Sequence, residues 1–239
     1  MYEAQFAEFY DIIHQHRGKD YAAEAAEITR LVRRHRPDAS SVLDVACGTG
    51  EHLRSLAEWF DRAEGLELSP DMLAVARTKV RGLRLHRGDM REFRLDARFD
   101  VITCMFSSIG YLRSTAELDR TLACLATHLT PGGVLAIEPW VFPDAFLPGY
   151  VAADLARTKD RTLVRMSHSV RDGTATRMRV HYLDADDTGI RTFTDTHRLS
   201  LFTRTDYETA FARAGCAAEL VETDLIPRGM YVGVLKEDM

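Results

Sequence analysis

The stretch Leu43-Asp44-Val45-Ala46-Cys47-Gly48-Thr49-Gly50-Glu51-His52-Leu53 decides the fold. Ser41 and Val42 extend it upstream as a run of β-formers, and His52-Leu53-Arg54-Ser55-Leu56 continues it downstream with helical spacing. A strand that breaks into Gly-Thr-Gly and passes directly into a helix lets a ligand approach bare backbone.

Working outward, strand-like runs at 41–47, 63–68, 83–88, 99–106 and 133–138 alternate with helical patterns at about 50–60, 70–80 and 115–129. Pro70 and Thr115 suit helix starts, and Pro131-Gly132-Gly133 reads as a turn into the fifth strand. This alternation implies a parallel sheet covered by helices on both faces. Residues 1–38 read as helical, with Ile28, Leu31 and Val32 on one face of a helix from Tyr21 to Arg36 that Pro37 ends. After Pro139 the rhythm changes. Runs at 162–170, 175–184 and 190–202 follow one another across Arg171-Asp172-Gly173 and Asp186-Asp187-Thr188-Gly189, so they are expected to be antiparallel. A helix at 203–214 and strands at 216–223 and 229–235 return to the main sheet. The expected organisation is therefore three segments. They are an α/β core with N-terminal helices at 1–139, a β-rich insertion at 140–202, and a completing helix and strands at 203–239. The insertion is expected to cover a substrate cleft or to build a dimer contact.

The chain has 239 residues, 46% hydrophobic and 28% charged, the composition of an ordinary globular protein. A formal charge of −5 argues against nucleic acid, which needs a basic face. No apolar run approaches the roughly 20 residues of a membrane span, and the N-terminus lacks the basic start and apolar core of a signal peptide. Cys47, Cys104, Cys124 and Cys216 are scattered, which reads as buried free thiols in a reducing cytoplasm. The nine histidines show no ligand spacing, so no metal is expected.

The glycine loop must then be matched to a ligand. A dinucleotide fingerprint wants a third glycine where Leu53 stands. No Tyr-x-x-x-Lys pair of a short-chain dehydrogenase occurs either. A phosphate loop wants Gly-Lys-Ser/Thr, whereas Gly50 is followed by Glu51, which would repel phosphate. S-adenosyl-L-methionine carries no phosphate. It needs an acceptor for its ammonium, an acid for two ribose hydroxyls and a polar contact for the adenine amine. Asp44 lies just before the loop, Glu67 ends the second strand nineteen residues beyond Gly48, and Asp89 ends the third with Met90 placed against the ring. All would stand at the carboxyl edge of the sheet, where such folds bind ligands.

Together these motifs resemble the class I S-adenosylmethionine-dependent methyltransferases, whose first motif has an acid, small residues and Gly-x-Gly. Ala46 stands where many members carry the first glycine. The resemblance implies a Rossmann-like α/β fold with a mostly parallel seven-stranded sheet, here with an antiparallel β insertion. It also extends nearly end to end: "AEFYD", "RGKDYAAEA", "GLELSPDML", "GDMREF", "MFSSIGYL", "EPWVFP", "RMSHSV", "ATRMRVHY" and "RGMYVGV" are similar to the antibiotic-pathway sugar N,N-dimethyltransferases. Those enzymes methylate the amine of a dTDP-3-amino-3,6-dideoxyhexose, and a homodimer is the assembly the resemblance suggests.

By that resemblance Tyr21, Ala46, Glu67, Asp89, Met90 and Met105 match cofactor positions, alongside Asp44, Gly48 and Gly50 of the loop. Tyr2, Tyr111 and Arg228 match positions near the amino sugar and its nucleotide, and Trp140, Ser167, Arg177 and His181 match insertion motifs that face the dTDP part. A phenol with a reference pKa of ~10 is a poor base at neutral pH, so Tyr111 and Tyr2 are expected to orient the amine. The family usually reads Glu-Pro-Trp-Trp-Phe-Pro, where Val141 departs, and Gly-Pro-Ser-Gly before the last Arg-Gly, where Leu225-Ile226-Pro227 stands. These departures leave the sugar open and keep a second reading: N- or O-methylation of another small natural-product acceptor.

Overall fold

The computed structural model describes residues 4–236. Two helices, α1 (Ala4–His16) and α2 (Tyr21–Arg33), precede an alternating core: β1 (Ser41–Val45), α3 (Glu51–Leu56), β2 (Arg62–Glu67), α4 (Pro70–Lys79), β3 (Arg84–Arg87), β4 (Phe99–Cys104), α5 (Thr115–Thr127) and β5 (Leu129–Ile137). Strands β6 (Val151–Arg157), β7 (Thr162–Asp172), β8 (Ala175–Asp186) and β9 (Gly189–Ser200) form a separate antiparallel sheet. The chain then closes the first sheet with α6 (Arg204–Arg213), β10 (Cys216–Val221) and β11 (Met230–Leu235).

The seven strands of the main sheet run in the order β10-β11-β5-β4-β1-β2-β3. β1 is parallel to both β2 and β4, and β11 alone runs antiparallel to its neighbours β5 and β10. Chain order reverses at β1/β4, so a crevice opens beyond the carboxyl ends of these strands. Alternate side chains feed the two faces. Val42, Val101, Val134 and Val232 pack with Ile28 and Leu31 of α2 and Leu53 and Leu56 of α3. Their neighbours Leu43, Ile102, Leu135 and Tyr231 pack on the other side with Leu118 and Leu122 of α5 and Phe211 of α6. Continuous apolar strands buried on both faces are what a parallel sheet requires.

Helix starts follow their chemistry. Asp20 caps α2 by accepting from Ala23 N at 2.9 Å, Ser69 and Ser114 cap α4 and α5, and Thr203 with Asp206 forms a capping box on α6. Pro70 and Thr115 are the first residues of their helices, as expected. A third apolar cluster joins Phe9 and Ile13 of α1, Met72 of α4, and Leu163, Val180 and Tyr182 of the four-stranded sheet. Through it, α1 is wedged between the core and the insertion.

Three details differ from the sequence expectation. β6 was not expected. It is an edge strand of Val-Ala-Ala-Asp-Leu-Ala-Arg, and its alanines and aspartate are poor β-formers. Pro131-Gly132-Gly133 is a bulge inside β5 rather than a turn before it, because Leu129 already pairs with Phe99 before the register shifts to Val101↔Val134. Of the cysteines, Cys104 and Cys216 are buried, but Cys47 and Cys124 are half-buried; all four are free thiols.

Candidate active site

The glycine loop crosses the carboxyl end of β1 with Ala46, Gly48 and Gly50 all in the left-handed region, at φ of 57°, 57° and 84°. Glu67 at the end of β2 holds the loop in place. One carboxylate oxygen accepts from Gly48 N at 3.0 Å and the other from Ser69 N at 2.8 Å. Burial raises the pKa of Glu67 against the pull of these donors. Asp44 is buried beneath the loop, accepts from Thr103 Oγ1 at 2.7 Å, and is pushed up to about 6 by burial. A Cβ added at Gly48 would meet no heavy atom, so the loop presents open backbone. Nearby, the Tyr21 hydroxyl is buried without a hydrogen-bond partner among the described residues, with the Tyr21 and His52 rings edge-on at 4.8 Å.

This donor and acceptor set suits S-adenosyl-L-methionine. Carboxylates line the loop where a phosphate ligand would need cations, and the orphaned Tyr21 hydroxyl offers a polar contact inside the pocket wall. Met105 follows β4 in the buried core, and Met90 packs against the opposite apolar face. Asp89 is engaged more fully than expected. The Arg91 guanidinium grips its carboxylate at 2.6–3.1 Å and holds it below the usual carboxylate range. Arg91 N also donates to Oδ1 at 3.0 Å, so the roughly four acceptor positions of the carboxylate are all engaged by Arg91, and an adenine amine would have to take one of them over.

α1 lies across this loop. Thr49 Oγ1 donates to Asp11 Oδ1 at 2.6 Å, and Lys79 of α4 bridges Asp11 and Glu51. Its inner face carries Tyr10 and His14, which meet Phe106 with ring centroids 6.0 and 4.7 Å away. Lys19 Nζ sits 4.4 Å over the Phe106 ring and pairs with Glu24 at 2.7 Å. Phe106 and Ser107 follow β4 with φ of 55° and 60°, a conformation rarely adopted by side-chain-bearing residues. Glu138 pays for part of that strain by accepting from Phe106 N at 2.6 Å.

Beyond Ser107 a 3-10 turn, Ser108–Tyr111, leads to the acceptor side. Tyr111 Oη lies 2.9 Å from His197 Nδ1 of β9. Arg228 stacks 4.7 Å over Trp140, 3.4 Å from both Glu138 Oε1 and Ser107 Oγ. Trp140 Nε1 and Arg228 Nε are both buried without partners among the described residues. Tyr111, Trp140 and Arg228 are thus brought together at the ends of β4 and β5, and Ser167 is buried on the inward face of β7, where Arg165 donates to it at 3.2 Å.

Arg177 and His181 are not brought there. Ser167 pairs with Val180 on β8, so side-chain alternation puts it on the face opposite to Arg177, Arg179 and His181. These line a basic cavity of about 350 Å³ with His168 on the outward face. A single ligand touching Ser167, Arg177 and His181 of one chain would therefore have to reach both faces of this sheet. Tyr2 lies outside the described residues. Asp11, Lys19, Phe106 and His197 also border this region without a motif of their own in the sequence; the strained Phe106-Ser107 pair carries no signal stronger than the quoted "MFSSIGYL".

A methyltransferase domain model matches residues 42–133, the span from β1 to β5. The chain is 53% identical over 98% of its length, and 92% of the relative's, to dTDP-3-amino-3,6-dideoxy-alpha-D-glucopyranose N,N-dimethyltransferase of Streptomyces fradiae. The chain belongs to the dTDP-aminosugar N,N-dimethyltransferases. Among solved structures, Streptomyces venezuelae DesVI superposes on this methyltransferase with a TM-score of 0.94 at 51% identity, covering 98% of this chain and 99% of that one. CalS10 of Micromonospora echinaspora, an amino pentose methyltransferase solved with S-adenosylmethionine bound, superposes at 0.89 with 46% identity over 95% and 96% of the two chains. The enzyme is an S-adenosylmethionine-dependent methyltransferase of the class I fold. The antiparallel insertion lies within the superposed length.

Proposed function

We propose that the enzyme methylates the amine of a dTDP-linked amino-deoxyhexose twice, giving a dimethylamino sugar for antibiotic glycosylation. Similarity that includes the insertion, not only the glycine loop, carries this reading. S-adenosyl-L-methionine, when bound, supplies a methyl group on a strongly electrophilic sulfonium. The chain's part is then alignment and exclusion of water. Glu67, Asp44, Ala46, Gly48, Gly50, Tyr21, Asp89, Met90 and Met105 hold the cofactor. Tyr10, His14 and Phe106 wall the reacting side. Tyr111, with Tyr2, orients the amine.

Trp140 and Ser167 face the nucleotide sugar, and the Arg228 fork meets its diphosphate. Arg177 and His181, on the outward face, are given no part in that contact within one chain. A homodimer accords with the same reading, since that face exposes Val151, Leu155, Met166, Leu183 and Ile190. Cytoplasmic residence fits a pathway enzyme with free thiols, and among the described residues no helix is long and apolar enough to cross a membrane.

The test is direct. Incubation with dTDP-3-amino-3,6-dideoxyglucose and S-adenosylmethionine should add one and then two methyl masses to the sugar. Absence of any gain across a panel of dTDP-aminosugars overturns the reading.

A further inference from the structure

β9 closes on the turn after β4 at three points. His197 Nδ1 meets Tyr111 Oη at 2.9 Å, Ser200 Oγ donates to the Leu112 carbonyl at 2.6 Å, and Leu199 packs so closely on Gly110 that an added Cβ would stand 3.3 Å from it. The insertion thereby fixes the turn that carries Tyr111. The two rings of the pair differ in exposure: Tyr111 is 40% exposed and His197 only 6%. The phenol is thus the outer member of the pair, and the imidazole backs it from the protein interior.

The hydrogen-bond roles follow from what surrounds the imidazole. Asp195 Oδ2 stands 3.6 Å from Nε2, which favours the tautomer carrying its proton on Nε2 and leaves Nδ1 as an acceptor. Burial holds the pKa of His197 below the usual histidine value, so the ring is uncharged at neutral pH. A phenol has one proton. Once it is given to Nδ1 in a hydrogen bond, the phenol oxygen can meet a further N–H only as an acceptor.

The geometry points to His197 as a positioning residue for methyl transfer: it takes the Tyr111 hydroxyl proton in a hydrogen bond and so makes the phenol oxygen an acceptor for an N–H of the substrate amine. An amine held by its N–H keeps its nitrogen lone pair for the incoming methyl. A phenol that donated instead would bind that lone pair and block attack. No proton leaves Tyr111 in this role, and no bond to His197 forms or breaks. The inference rests on the aminosugar reading above for the identity of the amine.

Kinetics and a nitrogen resonance test it separately. In His197→Ala, kcat for the aminosugar should fall about tenfold or more while KM stays within about twofold, because misdirection of a reacting group acts on the chemical step. His197→Gln, whose amide oxygen accepts the same hydroxyl proton, should recover kcat to within about threefold of wild type. Combining His197→Ala with Tyr111→Phe should cost no more than Tyr111→Phe alone. Full kcat in His197→Ala, or equal loss in Ala and Gln, overturns the role. Independently of turnover, ¹⁵N correlation spectra of the wild-type enzyme should show His197 with an unprotonated Nδ1. A proton on Nδ1 overturns the proposal even if the alanine variant fails to fold. Failure of wild type to methylate any dTDP-aminosugar would instead count against the function proposed above.

Discussion

The Glu67 carboxylate joins the glycine loop after β1 to the turn after β2, accepting from Gly48 N on one oxygen and from Ser69 N on the other. Each oxygen faces a backbone donor, so a side chain with one acceptor and one NH₂ group cannot replace it. Glu67→Gln would place a donor against a donor. Charged hydrogen bonds contribute about 1.5–3 kcal/mol, so the variant should bind S-adenosylhomocysteine roughly 10- to 100-fold more weakly. Calorimetric titration reads this directly. Unchanged affinity would mean that the glycine loop keeps its binding shape without these two bonds.

Ala46 holds a left-handed φ of 57° with a Cβ that this region disfavours. The penalty is about 1 kcal/mol, and glycine escapes it. Ala46→Gly should therefore raise unfolding stability by a part of that amount, seen as a higher urea midpoint at constant slope. Greater flexibility of the unfolded glycine chain works against the gain. A lower midpoint would show that the Ala46 methyl group contributes more by packing than its backbone costs.

The sequence carried the core because each of its signals is local. A strand buried on both faces reads as an unbroken apolar run, and Ser69-Pro70 and Ser114-Thr115 mark helix starts within two residues. Signals that depend on pairing were not legible. β6 owes its existence to β7, not to its own alanines. The bulge in β5 follows from pairing Leu129 with Phe99, thirty residues earlier in the chain. In the candidate site, Asp44, Glu67 and Asp89 were legible because they sit at or just past strand ends in chain order. The separation of Ser167 from Arg177 and His181 needs the register of β7 on β8, which no single strand encodes. His197 was hidden for the same reason: its partner Tyr111 lies 86 residues away.

Asp44 gives the fold a pH signature. Burial pushes its carboxyl up to about 6, against ~3.9 in an unfolded chain. The folded state therefore binds more protons between these values, and stability falls as pH rises through the window. Above pH 6 the wild type carries the full cost of a buried charge. Asp44→Asn, which still accepts from Thr103, removes it. The variant should be more stable by about 3 kcal/mol at pH 8, with the difference vanishing as pH falls from 6 to 4. Thermal melts across pH 4–8 measure this. Its S-adenosylhomocysteine affinity should drop as the charge is lost, and a stability gain that persists at pH 4 would contradict the assignment.

Arg228 supplies the last prediction, because its guanidinium lies over Trp140 with Nε buried and unpaired, and its hold on Glu138 is long at 3.4 Å. A cation so weakly held by protein is available to a diphosphate, which an arginine fork matches in two-pronged geometry. Arg228→Ala should raise KM for the nucleotide sugar about tenfold, equal to about 1.4 kcal/mol, and leave S-adenosylhomocysteine affinity unchanged. Arg228→Lys keeps the charge but loses both the fork and the flat stack on Trp140, so it should recover only part of the loss. The decisive comparison uses the same amino sugar without its nucleotide. If Arg228 acts on the diphosphate, the KM penalty disappears with that substrate. If the penalty persists, Arg228 supports the Ser107–Glu138 framework under Tyr111 and has no part in recognising the nucleotide.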